Sequence, residues 1–150
     1  MKKFQFSLET VLDYKQQVLD ALRTEHGAIL AQVRAQEELL ERLDGEYRQL
    51  DQDFTQRKME GMTVLDALAF EQCLRAMEAK IRRETQVLEE LRQKEEAKRA
   101  EVVVAKQDTS ALEKLREKKL DNYNKMVQKA EESMIDELVS TKRAMAAQSA

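Results

Sequence analysis

The 150-residue chain contains a single histidine, His26, and a single cysteine, Cys73, so the chemistry it could support is narrow. A histidine acting as a general base needs a nucleophile within hydrogen-bond reach, and no Ser or Cys can be placed beside His26. Its heptad position makes it a register-setting residue instead. Leu30 and Ala31 stand where the second histidine of an HExxH motif would lie. No second Cys or suitably spaced His completes a zinc site with Cys73. Carboxylates are plentiful, but they fall on solvated helix faces with no pocket to perturb them. The three glycines are far apart, which excludes a phosphate-cradling loop. The expectation is a chain that is not an enzyme, with no catalytic residue, cofactor, metal or small-molecule substrate.

The elements that would position any site are long helices. Proline is absent, and Leu8, Leu12, Leu19, Leu22, Ile29, Val33, Leu40, Leu43, Tyr47, Leu50 and Phe54 recur on heptad positions a and d. Only Lys15, His26 and Gln36 interrupt that series with polar residues. Phe70, Leu74, Met77, Ile81, Leu88, Leu91, Val102, Ala105 and Leu112 repeat the pattern, with Glu84, Glu95 and Lys98 as its polar positions. Stripes this long bury themselves against another helix, not in a layered core. Beyond Leu112 the frame shifts by four residues through Arg116, Leu120, Tyr123, Val127, Ala130, Met134 and Leu138. Such a stutter unwinds the supercoil locally.

Charged residues make up 37% of the chain, both signs are interleaved, and aromatics reach only 5%. That composition at heptad spacing belongs to long-helix proteins. The net charge of -3 and the mixing of Glu with Arg82-Arg83, Lys98-Arg99 and Lys114 to Lys119 argue against nucleic acid as the partner. No apolar run approaches the ~18–20 residues of a membrane span. Met1-Lys2-Lys3-Phe4-Gln5-Phe6-Ser7 lacks the apolar stretch of a signal peptide, so a cytoplasmic location is expected.

One interruption stands out, at Met59-Glu60-Gly61-Met62-Thr63. Gly61 suits a helix C-terminus, and Thr63 with Asp66 suits the start of the next helix. The expected fold is all-α: a single elongated domain forming an antiparallel two-helix coiled coil, with a longer, projecting C-terminal helix. Helix 1 is expected over about 5–58, a turn over 59–63 and helix 2 over about 64–146. Gly27 and Gly45 read as softened points inside the first helix, each costing about 1 kcal/mol relative to Ala.

Pairing Phe54 with Phe70 places Tyr47 opposite Met77, Leu43 opposite Ile81, Leu12 opposite Leu112 and His26 near Lys98. A register shifted by one heptad also matches several apolar pairs. With the N-terminus opposite Arg116, roughly the last 30 residues project without a partner. Their Met126, Val127, Ala130, Met134, Ile135, Leu138 and Val139 form a broad apolar face. An external partner is the favoured occupant of that face. Phe4 and Phe6 folded back over it, or a second copy, are the alternatives.

The opening Phe4-Gln5-Phe6-Ser7-Leu8-Glu9-Thr10-Val11-Leu12 resembles the aromatic–x–aromatic–x–Leu–x–x–Val/Leu–Leu start of the bacterial flagellar export proteins of the FliJ family. Chain length, the break near residue 60 and the longer second helix are similar too. The resemblance implies a stalk-like, non-enzymatic component of the flagellar type III export apparatus. It would bind the hexameric export ATPase, promote its assembly and link it to the membrane export gate and to export chaperones. The implied ATPase-facing residues are Phe4, Phe6, Leu8 and Leu12, with Met126, Val127, Ala130, Met134 and Leu138. The implied gate-facing residues are Gln36, Leu40 and Tyr47, with Cys73 and Met77 at positions where the chain departs from the family pattern. These positions lie largely on the seam, so ordinary core packing explains them equally well. The resemblance also implies peripheral association with the inner face of the cell membrane. A virulence-type secretion stalk and a homo-oligomeric scaffold are the alternatives.

Overall fold

The computed structural model describes residues 2–149. Helix α1 covers Glu9–Glu60 and helix α2 covers Val64–Gln148, and the two form a helical hairpin with no strand among the described residues. The break between them is local chemistry. Gly61 adopts φ 96°, a left-handed conformation that costs little only without a Cβ. Thr63 Oγ1 then accepts the amide of Asp66 at 3.1 Å, satisfying one of the orphan donors that every helix start exposes.

Contacts divide the chain into two compact units. One comprises Asp20–Val103 and holds the inter-helix turn. Its buried residues are Val33, Leu43, Phe54, Leu74 and Leu88. Partners across its seam run in opposite directions: Phe54 with Phe70, Tyr47 with Glu78, Gln36 with Glu84, His26 with Glu95 and Glu25 with Lys98. The helices here are therefore antiparallel. The Phe54 and Phe70 rings stack at 5.2 Å with 14° between their planes, which anchors the register beside the turn. Lys58 Nζ lies 3.8 Å from the Phe54 ring centroid, a cation–π contact that caps the pair.

The other unit comprises the residues up to Leu19 together with those from Val104 onward. Phe6, Leu12, Leu19 and Ala105 are its buried apolar residues. Thr109 is buried too, and its hydroxyl donates to the Ala105 carbonyl at 2.8 Å, so no polar group is stranded there. Its inter-helix pairs, Lys15 with Asp108, Gln16 with Glu113 and Glu9 with Arg116, run antiparallel as well. No described side chain in either unit falls below 2% exposure. That follows from the architecture: each seam residue meets one partner helix, and its flanks stay wet.

Two expectations need correction. Helix α1 starts at Glu9, not near residue 5, because the segment before it is not helical and turns at Ser7-Leu8. The unpartnered end of α2 is correspondingly shorter. Lys2 lies against Tyr123, in step with the Glu9–Arg116 pair, and partial burial on α2 continues to Val127.

Candidate protein-binding surfaces

Polar residues on the seam of the turn-containing unit are each matched. Gln36 Nε2 donates to Glu84 Oε2 at 2.6 Å and to the Glu84 carbonyl at 2.9 Å. His26 Nε2 lies 2.9 Å from Glu95 Oε1, and because a carboxylate only accepts, the proton sits on Nε2. Arg99 bridges to the other oxygen of Glu95 at 3.3 Å. The expected neighbour of His26, Lys98, instead extends its ammonium outward to Glu25 at 2.9 Å and Glu101 at 3.0 Å. A long aliphatic stem lets lysine cover the seam while its charge stays in water. Hydrogen bonds to those two carboxylates hold the Lys98 pKa above its ordinary value. Polar pairs of this kind specify register more than they add stability.

The residues implied as gate-facing all lie in this unit. Gln36 is engaged by Glu84, and Leu40, Tyr47 and Met77 are half-buried along the seam. The Tyr47 hydroxyl donates to Glu78 Oε1 at 2.7 Å, and that bond, with partial burial, raises the Tyr47 pKa. Cys73 is the exposed member of the set. These side chains largely hold the two helices together, and only Cys73 and the outer edges of the others face solvent.

The residues implied as ATPase-facing lie in the unit that holds both ends of the chain, and they fall into two groups. Phe6 and Leu12 are buried, at 7% and 4% exposure, so they build the unit and are not free surface. Phe4 is half-buried, with its ring 5.7 Å from that of Tyr123 and the Arg116 guanidinium 5.7 Å from its centroid. Arg116 Nε also donates to Glu9 Oε2 at 2.9 Å, and the Tyr123 hydroxyl donates to the Lys2 carbonyl. Leu8 is half-buried where α1 begins. The aromatic leader thus clasps α2 across Arg116 and Tyr123.

The second group lies past that clasp. Met126, Met134 and Leu138 are 62%, 65% and 65% exposed, Ala130 is exposed, and only Val127 is half-buried. Every residue from Gln128 to Ser149 is exposed. Ile135, Val139 and Met145 extend the same apolar surface. Among the described residues no cluster of His, Cys, Asp or Glu could hold a metal ion. No described helix is long and apolar enough to cross a membrane.

The sequence profile of the family described as flagellar FliJ protein matches residues 4–148, nearly the whole chain. This chain belongs to the flagellar FliJ protein family. It is therefore a flagellar export-related component, of a family whose members are structural and not catalytic. No curated protein and no solved structure matches it significantly.

Sequence reasoning missed the clasp. Its parts were visible as the Phe4–Phe6 pair and as Arg116 and Tyr123 on the shifted stripe, but no periodic signal joins a non-helical leader to them. It also missed Thr109, since a single hydroxyl between Ala105 and Leu112 gives no periodic signal. A third omission is at the turn, where Met59, Val64, Leu65 and Leu68 are 84%, 78%, 77% and 51% exposed.

Proposed function

We propose that the chain is a stalk-like regulator of the hexameric flagellar export ATPase, working by docking and leverage without chemistry of its own. The observation that carries this reading is the uncovered end of α2. Met126, Met134, Ile135, Leu138, Val139 and Met145 stay exposed on a helix whose earlier seam positions, such as Leu74, Leu88 and Ala105, are buried. Burying a Leu or Met side chain is worth about 1.5–3 kcal/mol, so a partner covering several of them gains substantial affinity. Met side chains adapt to a partner whose subunits present slightly different surfaces. The clasp of Phe4 on Tyr123 would brace the start of that face.

In this reading Gln36, Leu40, Tyr47, Cys73 and Met77 contribute an edge for the cytosolic domain of the membrane export gate. Export chaperones would be further partners, and the protein would work in the cytoplasm at the inner face of the membrane. The family match favours flagellar export over a virulence-type system. Removal of residues 128–150 tests the reading, because it deletes no described contact across the seam. The shortened chain is expected to remain folded yet fail to stimulate or bind the cognate ATPase. Full stimulation by the shortened chain would refute the docking role.

A further inference from the structure

The uncovered end of α2 is self-complementary. Val127, Met134, Leu138 and Met145 recur at spacings of seven, four and seven residues, which keeps them on one face. That series reads the same from either end. Two copies laid antiparallel therefore place Met134 of each against Leu138 of the other, and Val127 of each against Met145 of the other.

Charge selects the same arrangement. Glu131 and Lys142 are eleven residues apart, about three turns, and so lie along the same side of the apolar face. In the antiparallel register just described, Glu131 of each copy stands beside Lys142 of the other, giving two symmetry-related pairs. In a parallel arrangement that side of the two copies would lie on opposite flanks of the seam, and neither pair would form. On this basis we infer that a second copy of this chain covers the uncovered end of α2, forming an antiparallel, twofold-symmetric helix pair over residues 127–145. Phe4 and Phe6 are not competitors for that surface, because Phe6 is buried and Phe4 is seated on Tyr123.

The pair is short, about three heptads, but its helices need no nucleation because they continue α2. A dissociation constant on the order of 10–100 μM suits so small a seam. The inference is independent of the ATPase reading. Both occupants use one face, so self-pairing would keep the face covered until a stronger partner displaces the second copy.

Sedimentation equilibrium of the full chain, without any partner, tests it. A monomer–dimer equilibrium is expected, abolished by Leu138→Glu, whose side chain is 65% exposed and so not needed for folding. Glu131→Lys and Lys142→Glu should each weaken dimerisation about tenfold, since both symmetry-related pairs turn repulsive. The double reversal should restore it to within about threefold. A single monomeric species up to about 1 mM would overturn the inference on the affinity scale above. So would indifference to the single reversals, which a parallel pair predicts, or a double reversal that stays weak.

Discussion

The turn-containing unit and the uncovered end of α2 use similar residues to opposite ends. In Asp20–Val103 the apolar seam positions, such as Val33, Leu43, Phe54, Leu74 and Leu88, face a partner helix, and the polar ones among them, Gln36 and His26, are answered by Glu84 and Glu95. From Gln128 to Ser149 apolar residues recur at comparable spacing, yet every residue is exposed. What differs is the supply of a partner, not the pattern. A heptad stripe therefore reports that something must pack on it, and the structure decides whether that something is internal.

The sharpest way to break this contrast is to truncate one large side chain in each region. Phe54→Ala removes a ring that is 4% exposed and stacked on Phe70, and it should cost about 3 kcal/mol in urea unfolding. Leu138→Ala, at 65% exposure, should leave the unfolding midpoint of dilute protein unchanged. Equal losses at both positions would mean that the end of α2 is covered after all.

A smaller effect probes the polar layers. Gln36→Leu deletes both hydrogen bonds to Glu84 and leaves that carboxylate beside an apolar group. A loss of about 1 kcal/mol is expected by chemical denaturation, since Glu84 is half-buried and can still reach water. A gain in stability accompanied by a shifted register, detected by cross-linking, would show that Gln36 acts mainly through specificity.

Helix propensity gives an effect of similar or lesser size. A Cβ added at Gly27 or Gly45 would meet nothing within 4 Å, so each Gly→Ala change should stabilise by about 0.5–1 kcal/mol. Gly61→Ala also finds open space, but its φ of 96° makes the substitution destabilising. A thermal melt of the three variants separates propensity from backbone conformation, and a gain at Gly61 would contradict the turn described.

The smallest effect is on pH dependence. Lys98 and Tyr47 both hold their protons more tightly folded than unfolded, owing first to hydrogen bonds with Glu25 and Glu78 respectively. The stability this contributes is fully present below their ordinary values of 10.5 and 10.0, and is lost as pH rises through the raised folded values. Urea midpoints should therefore fall slightly above about pH 10. Lys98→Met combined with Tyr47→Phe should flatten that decline.

Much of the fold was legible because heptad spacing is a long, redundant signal. The short turn suggested the Phe54–Phe70 pairing, which the stacked rings bear out, although a register shifted by one heptad also matched several apolar pairs. His26 was legible as a seam residue but not in its partner, since Glu95 and Lys98 lie within one turn and only side-chain reach separates them. The clasp was not legible. The leader is not helical and carries no periodic signal, so the seating of Phe4 on Tyr123 and Arg116 is visible only in the structure. Of the implied contact residues, Phe6 and Leu12 belong to the core and Met126, Met134 and Leu138 to the surface, a division that periodicity cannot draw.

The central claim is that the helix from Gln128 to Gln148 receives a protein partner. Amide hydrogen exchange of the full chain with and without the cognate hexameric export ATPase tests it directly. Protection is expected to rise chiefly between Gln128 and Gln148, with little change in Asp20–Val103. Protection confined to Asp20–Val103, leaving the end of α2 as open as in the free protein, would contradict the account.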